Sequence, residues 1–294
     1  MEQIRFVTAG DNSAIEQMKK IWRECFDADD AYLQLYFSTR YRADQTLAFY
    51  DDDQLLGMLT LLPCTYRGQW QGRERLYRAY YLFAVGTLPA AQGRQIATKL
   101  LTAADEWMQQ QGVEMALLAP AEQSLYHFYQ KRGYEPWFTR WQQTFPPKQT
   151  ADAAQGFVLT PLSDEEYWQH HCRLIRQDSI LWPQDAMAFA AGESRLYHGG
   201  IYALTRQGKQ CGICYLYRYQ PNEVIVKELL PEPGEDVWTL TEALRGMFSQ
   251  AQVQVRLTAQ AQKEAEWAGM ARFYLPPSQQ PQRTGQAYLP FILD

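Results

Sequence analysis

A loop that leads into an amphipathic stretch of this sequence could bind a phosphate-containing ligand. A loop that opens a helix presents free backbone N–H groups at the positive end of the helix dipole, which suits a pyrophosphate. Gly93 would let the backbone approach closely, and Arg94 would add a positive charge. An ordinary strand-to-helix connection that contains a glycine is the alternative interpretation. In order, the candidate residues are Gln92, Gly93, Arg94, Gln95, Ile96, Ala97 and Thr98.

The elements around this loop are predicted from hydrophobic periodicity. A short strand over residues 3–8 comes first, then two helices, and then three consecutive strands with turns at residues 51–53 and 68–72. After Pro89 the apolar residues recur at helical spacing until Gly112 ends the helix. A buried strand (residues 113–119), a helix (121–131) and a further strand (134–145) complete the first half.

This order of elements, with the sequence Tyr-Gln-Lys-Arg-Gly-Tyr at residues 129–134, resembles the GNAT family of acyl-CoA-dependent N-acetyltransferases. The family motif has Gln or Arg, two variable residues, Gly, one variable residue, and then Gly or Ala. Gln92 and Ala97 match its ends, whereas Gln95 replaces its central glycine. The resemblance covers residues 3–145, and it implies a mixed sheet that splays apart between its fourth and fifth strands.

The resemblance implies acetyl-CoA as the co-substrate and assigns parts of its binding site. The backbone near Val85 and Thr87 would pair with the pantetheine arm, and the amides of residues 93–98 would hold the pyrophosphate. The side chain of Gln95 would stand where the family often has none, and its amide could itself donate to a phosphate.

Acyl transfer from a thioester to an amine requires a deprotonated amine, a stabilised oxyanion and a protonated leaving thiolate. Tyr129 matches the family position whose hydroxyl protonates the coenzyme A sulfur. A phenol suits this role because it keeps its proton at neutral pH. Tyr126, one turn earlier on the same helix face, is the competing candidate. A packed aromatic residue without a catalytic role is the other interpretation of Tyr129.

The sequence leaves the general base open. Glu24, Asp27 and Glu122 are candidates, although a carboxylate of this kind is more often a solvated surface residue. The apolar end of the chain suggests another candidate base. The chain resembles the tandem-GNAT acetyltransferases related to mycobacterial aminoglycoside-modifying enzymes, in which the C-terminal carboxylate returns to the active site. Here that residue would be Asp294. Those relatives usually carry an additional sterol-carrier-like domain, for which this chain is too short, and simple strand packing is the alternative for the tail.

Residues 146–152 are polar and contain prolines, as is typical of a linker. After them, the predicted helices and strands follow in an order similar to that of the first half. We therefore predict an α/β protein with two GNAT-like domains, residues 1–147 and 154–294, each a twisted, mixed and mainly antiparallel sheet flanked by helices. In the second domain the loop at residues 230–236 contains three carboxylates and two prolines. Such a loop would repel a pyrophosphate and offer it few N–H groups. This domain is predicted to wall the acceptor pocket, with Ile180, Leu181 and Trp182 as candidates.

Composition narrows the classes of function. The formal net charge of −5 disfavours a general nucleic-acid binder, which needs an excess of Lys and Arg. No signal peptide and no apolar run of about 20 residues is evident, so we expect a cytoplasmic protein without a membrane partner. The five cysteines are interpreted as reduced thiols, and neither Cys211 and Cys214 nor residues 170–172 (His-His-Cys) predict a metal site.

The leading hypothesis is direct acetyl transfer from acetyl-CoA to an amine of a small molecule or to an exposed protein amine. A homo-oligomer is compatible with the sequence. Two alternatives stay open: a catalytically inactive module that senses acyl-CoA or scaffolds a partner, and tRNA-dependent aminoacyl transfer of the kind carried out by tandem-GNAT peptidyltransferases.

Overall fold

The computed structural model describes residues 1–148, 154, 156–175, 178–258 and 265–290. The first half contains β1 (Glu2–Phe6), α1 (Asn12–Phe26), α2 (Asp30–Thr39), β2 (Thr46–Asp51), β3 (Gln54–Trp70), β4 (Arg73–Thr87), α3 (Ile96–Gln110), β5 (Met115–Leu118), α4 (Gln123–Gln130) and β6 (Glu135–Phe145). The second half contains β7 (Phe157–Pro161), α5 (Asp164–Leu174), β8 (Ser179–Leu181), α6 (Asp185–Leu196), β9 (Gly200–Arg206), β10 (Lys209–Gln220), β11 (Glu223–Pro231), α7 (Val237–Met247), β12 (Gln252–Thr258) and β13 (Glu266–Phe273).

The strands form one continuous mixed sheet, in the order β1-β2-β3-β4-β5-β13-β6-β12-β11-β10-β9-β7, with β8 paired to β3 outside this path. Most neighbouring strands are antiparallel, and β4–β5 and β11–β12 are the parallel pairs along this path. The predicted α/β class and the mainly antiparallel pairing are confirmed. The structure adds that the sheets of the two halves are joined into one.

The two halves exchange strands at the centre of the sheet. β13, from the second half, lies between β5 and β6 and is antiparallel to both. The other edge of β6 pairs with β12, again antiparallel. β13 was not predicted from the sequence, and neither was β8. Each is stabilised by partners from the other half of the chain.

The sheet splits where β4 and β5 separate. Their parallel pairing runs from Ala79 opposite Met115 to Tyr81 opposite Leu117 and ends there, although β4 continues to Thr87. The register between β3 and β4 also shifts near this point, and the backbone of Ala84 adopts a positive φ of 52°. A bulge of this kind bends a strand and re-aims its backbone groups. The splaying implied by the family resemblance is therefore present.

α3 begins close to this split because a glycine on β3 leaves room for it. A Cβ atom at Gly57 would lie 2.6 Å from Cγ2 of Ile96, the first residue of α3, and 3.1 Å from the carbonyl oxygen of Gly86 on β4. Real Cβ atoms essentially never make a contact as short as the first, and the second is tighter than most contacts they make. Gly57 thus allows the first turn of α3 to pack directly on the strands that carry the split.

The strand exchange predicts that the two halves fold only together. A fragment of residues 1–148 would leave the edges of β5 and β6 without β13, and unpaired edges of this length favour aggregation. We expect this fragment alone to lack a cooperative thermal transition. Co-expression with residues 154–294 should yield a soluble one-to-one complex, measured by size-exclusion chromatography and calorimetry. Cooperative melting of residues 1–148 alone would contradict this interpretation.

Candidate functional site

The N-terminus of α3 is open. A short 3-10 helix (Pro89–Ala91) follows β4, and the chain then passes through the exposed residues 92–95 into α3. The first intrahelical hydrogen bond runs from the N–H of Lys99 to the carbonyl of Gln95 at 3.0 Å. The amides of Ile96, Ala97 and Thr98 precede it and have no intrahelical acceptor, and no side chain caps the helix. The predicted pyrophosphate loop therefore has the donor geometry that an anion requires.

Gln95 adopts the left-handed conformation at the start of this helix. Its φ is 60° and its ψ is 23°, and Gly93, two residues earlier, also has a positive φ of 82°. A side chain costs about 1–2 kcal/mol in this conformation, whereas glycine pays no such penalty. This explains in physical terms why the motif carries glycine at this position. The Gln95 side chain is exposed and leaves the helix terminus uncapped.

Arg94, the cation predicted for the loop, is bound to the adjacent strands. Its Nη2 lies 3.0 Å from Oε1 of Glu2 on β1 and 2.8 Å from Oδ2 of Asp51 on β2. These bonds raise the pKa of Arg94 and lower the pKa of Asp51, while the pKa of Glu2 is lowered first by its bond to Lys99 and then by its bond to Arg94. Lys99 also donates to Glu2, at 2.6 Å. Two carboxylates therefore balance the positive charge that the sequence suggested for this loop.

Arg132 brings a different cation to the first turn of α3, and the sequence did not assign it a role. Its Nη2 donates to Oγ1 of Thr98, and its Nη1 donates to the carbonyl of Phe128 at 2.6 Å. The guanidinium also lies 3.6 Å from the centroid of the Phe128 ring. Burial lowers the pKa of Arg132, but an arginine still remains charged. The sequence did contain a signal for the contact with Phe128. Arg132 follows Phe128 by four residues, a spacing that brings two side chains together at the end of a helix such as α4.

The edge of β4 beyond the split carries the two residues predicted to face a pantetheine arm. Val85 lies in the bulge and is skipped in the register with β3, whereas Thr87 pairs with Gly57. The carbonyl of Thr87 also accepts a hydrogen bond from the thiol of Cys25 at 3.3 Å. Both residues are half-buried. The backbone at Val85 is thus the better placed of the two to pair with an extended ligand.

Tyr129 and Tyr126 differ in what their hydroxyl groups contact. The hydroxyl of Tyr126 donates to the carbonyl of Trp267 on β13 at 3.0 Å. The hydroxyl of Tyr129 has no hydrogen-bond partner within the described residues, and its ring packs edge-on against Phe128 and Tyr134. Burial raises the pKa of Tyr129 to about 12, so its phenol is protonated at neutral pH. Tyr129 therefore holds a proton that no described neighbour engages.

The three internal carboxylates considered as bases all lie on the surface. Glu24 is 3.7 Å from Lys20 in an i,i+4 pair, and Asp27 ends α1 in the left-handed conformation. Glu122 accepts a hydrogen bond from the hydroxyl of Ser124 at 2.5 Å. All three are exposed. Their contacts are those of ordinary surface residues, and none of these contacts points to proton transfer.

The C-terminal segment approaches the split between β4 and β5. The carbonyl of Pro290 accepts a hydrogen bond from Nε1 of Trp182 at 2.8 Å. The Trp182 ring packs edge-on against Tyr81, with centroids 5.6 Å apart, and Tyr81 is the last β4 residue paired with β5. Ile180 and Trp182 are buried beside this position. Asp294 lies outside the described residues.

In the second half the helix that corresponds to α3 is α7, and its N-terminus is already capped. Asp236 caps α7 by accepting from the backbone N–H and the hydroxyl of Thr239, both at 2.9 Å. In the preceding loop, Glu232 pairs with Arg173 and Glu235 pairs with Lys209. A carboxylate thus already occupies the terminus that an anion would need, which supports the prediction that this half does not bind the co-substrate.

Other features of the described residues do not add a site. Cys211 and Cys214 are buried in the core, and no group of His, Cys, Asp and Glu side chains within the described ranges could hold a metal ion. Among the described helices, none is long and apolar enough to cross a membrane.

Comparisons with known proteins agree with this geometry. Residues 4–137 match the family model described as the acetyltransferase (GNAT) domain. The fold is similar to that of Eis1 from Mycobacterium abscessus, with a TM-score of 0.66 and 14% identity over 93% of this chain and 73% of that chain. The fold is also similar to that of a GCN5-related N-acetyltransferase from Anabaena variabilis, with a TM-score of 0.67 and 16% identity over 93% of this chain and 73% of that chain.

A putative acetyltransferase from Pyrococcus horikoshii matches over nearly its whole length, with a TM-score of 0.59 and 13% identity over 98% of this chain and 94% of that chain. No significant match to this chain was found among curated proteins. At these identities the structural similarity concerns the fold.

The conformation of Gln95 predicts an unusual effect of glycine. Gln95→Gly should raise the free energy of unfolding by up to about 1 kcal/mol, because relief of the left-handed conformation exceeds the added chain entropy. Gln92→Gly is the matched control, since Gln92 has a φ of −61° and should lose about 0.5–1 kcal/mol. Urea unfolding measures both. Equal destabilisation by the two variants would show that position 95 does not require a positive φ.

Proposed function

We propose that this chain, whose residues 4–137 match the acetyltransferase (GNAT) domain, moves an acetyl group directly from acetyl-CoA to an amine of a small molecule or an exposed protein amine. The observation that carries the proposal is the uncapped N-terminus of α3 next to the split between β4 and β5. The first feature suits a pyrophosphate, and the second leaves a strand edge for the pantetheine arm.

In this proposal the pyrophosphate accepts hydrogen bonds from the amides of residues 93–98, and Arg132 supplies the nearby positive charge. Thr98 connects the two, because its hydroxyl already contacts the Arg132 guanidinium. Backbone groups at Val85 pair with the pantetheine arm, as an added strand pairs with an open edge. The thioester would then lie near the point where β4 and β5 diverge.

The chemistry follows from the bonds that change. The amine nitrogen attacks the thioester carbonyl, the new C–N bond forms, and the C–S bond breaks. Tyr129 gives its proton to the departing thiolate, a role consistent with its raised pKa and its hydroxyl without a described partner. The proton lost by the amine passes to the terminal carboxylate at Asp294. The approach of the chain as far as Pro290 supports this assignment.

Binding of acetyl-CoA is the first test. We expect calorimetry to give a dissociation constant below about 1 mM, and Arg132→Ala should weaken binding by about tenfold or more, as expected when a charged hydrogen bond is lost. Arg245→Ala is the matched control, because Arg245 on α7 of the second half also lies over an aromatic ring, that of Phe145, at 4.4 Å. Absence of binding at millimolar acetyl-CoA would refute both the enzyme and an acyl-CoA sensor.

Turnover measurements distinguish an active acetyltransferase from a module that only senses acyl-CoA. With polyamines, aminoglycosides and lysine peptides as acceptors, thiol release should appear for at least one class. Tyr129→Phe should then lower kcat by about 100-fold, the smaller end of a general-acid contribution, without changing the affinity for acetyl-CoA. Tyr126→Phe should retain kcat, because that hydroxyl contacts the Trp267 carbonyl. Equal rates for the two variants would remove Tyr129 from the mechanism, and binding without thiol release would favour the sensor.

A further inference from the structure

An arginine of the second half reaches the residues that follow α4. Arg272 lies on β13, opposite Ala116 on β5, so it belongs to the strand that the second half inserts into the sheet. Its Nη1 donates to Oδ2 of Asp105 on α3, and the same nitrogen donates to the carbonyl of Arg132 at 3.0 Å. One guanidinium from the second half therefore bonds both to α3 and to the residue that contacts the first turn of α3.

Asp105 holds this guanidinium from inside the protein. The side chain of Asp105 is only 9% exposed. Its Oδ1 accepts a hydrogen bond from the hydroxyl of Tyr274, and its Oδ2 accepts from Arg272. Both carboxylate oxygens thus have partners, as a buried carboxylate requires. The position of Asp105 on α3 therefore determines where the Arg272 guanidinium lies.

Asp105 and Thr98 lie on the same face of α3. Residues 98 and 105 are separated by about two turns of the helix. Arg132 donates to the hydroxyl of Thr98, and Arg272 donates to the carboxylate of Asp105. Because Arg272 also bonds to the backbone of Arg132, the two contacts together fix the end of α4 against this face.

Arg132 needs such support because it lies beyond the end of α4. The helix ends at Gln130, and Gly133, with a positive φ of 79°, then turns the chain toward β6. The N–H of Arg132 donates to the carbonyl of Tyr129 at 2.9 Å, and its carbonyl accepts from Arg272. A residue past a helix end lacks the regular hydrogen bonds that fix residues inside the helix. The bond from Arg272 therefore restricts the backbone from which the Arg132 guanidinium extends.

Stability alone is a weak explanation for the pair of Asp105 and Arg272. A buried ion pair contributes little net free energy of folding, because the cost of removing the charges from water offsets their attraction. The second hydrogen bond of the same nitrogen, to the Arg132 carbonyl, connects this pair to the proposed pyrophosphate site.

We propose that Arg272 is a positioning residue that holds Arg132 against the first turn of α3, so that the second half contributes to the binding of acetyl-CoA. The inference rests on the proposed function, in which Arg132 supplies the positive charge near the pyrophosphate. Arg272 does not contact the ligand. It acts through the backbone of Arg132 and the side chain of Asp105.

The first test compares two substitutions of Arg272 in the full chain. Arg272→Met removes both hydrogen bonds and should weaken the binding of acetyl-CoA by about fivefold, which is within the range of indirect coupling between residues. Arg272→Lys should restore the affinity to within about twofold, because one nitrogen makes both bonds and an ammonium can also donate two. Calorimetry measures both variants. An Arg272→Met variant that binds as tightly as the unsubstituted chain would overturn the proposal.

Tyr274→Phe is the matched control for a loss of stability. It removes a hydrogen bond from the other oxygen of Asp105 and leaves Arg272 in place. This variant should lower the melting temperature by a few degrees, as Arg272→Met does, and retain the affinity. An equal loss of affinity in both would show that loosening of the region is sufficient, and would overturn the proposal. If Arg272→Met does not fold, Asp105→Asn replaces it, with an expected loss of about threefold, and unchanged affinity there has the same meaning.

A double substitution shows whether Arg272 acts through Arg132. Arg132→Ala combined with Arg272→Met should bind acetyl-CoA no more weakly than Arg132→Ala alone, whereas losses that multiply would overturn the proposal. Hydrogen exchange at the amides of Arg132 and Gly133 needs no ligand, and Arg272→Met should accelerate it more than Tyr274→Phe does. If Arg132→Ala leaves the affinity unchanged, the role of Arg132 in the proposed function is refuted, while the exchange rates still report whether Arg272 holds Arg132.

Discussion

Every backbone N–H and C=O group in a protein interior needs a partner, and this structure is organised around the place where the sheet stops supplying one. β4 continues past Tyr81 without β5 beside it. The bulge at Ala84, the close packing of α3 on Gly57 and the uncapped amides of α3 all lie at or next to this break. An extended ligand with an anionic end is the kind of molecule that would satisfy both the strand edge and the helix terminus. The site is therefore a consequence of incomplete backbone pairing, and side chains refine it.

The two halves have similar topologies, but a few residues leave the N-terminus of α3 uncapped and the N-terminus of α7 capped. α3 begins with Gln95 in the left-handed conformation and no capping side chain, so its terminus stays available. α7 begins with Asp236, whose carboxylate accepts from Thr239 and occupies the equivalent position. The second half instead contributes β13 to the sheet beside β5, and its Trp182 lies against Tyr81. In the proposed function its role is therefore structural, and the chemistry takes place in the first half.

Much of the fold could be predicted from local pattern, because helices such as α3 show apolar spacing within one turn and glycines such as Gly112 mark their ends. The start of α3, where the pyrophosphate loop is proposed, could be predicted for the same reason. β13 could not, since its partners β5 and β6 lie more than a hundred residues away in the sequence and pairing over that distance leaves no local periodicity. The contact of Arg132 with Thr98 and the pairing of Arg94 with Asp51 escaped the sequence for a related reason. They depend on how separate elements approach one another.

The exchange of β6 and β13 also bears on how the chain is made. A ribosome releases the chain from its N-terminal end, and domains generally fold as they emerge. Here β5 and β6 leave the ribosome long before the strand that separates them, since β6 ends at Phe145 and β13 begins at Glu266. Until then a nascent first half carries three unprotected strand edges, one on β5 and both edges of β6, which can pair wrongly with one another. The architecture therefore delays completion of the sheet until nearly all of this sequence has been synthesised, and makes the protein dependent on whatever shields those edges in the meantime.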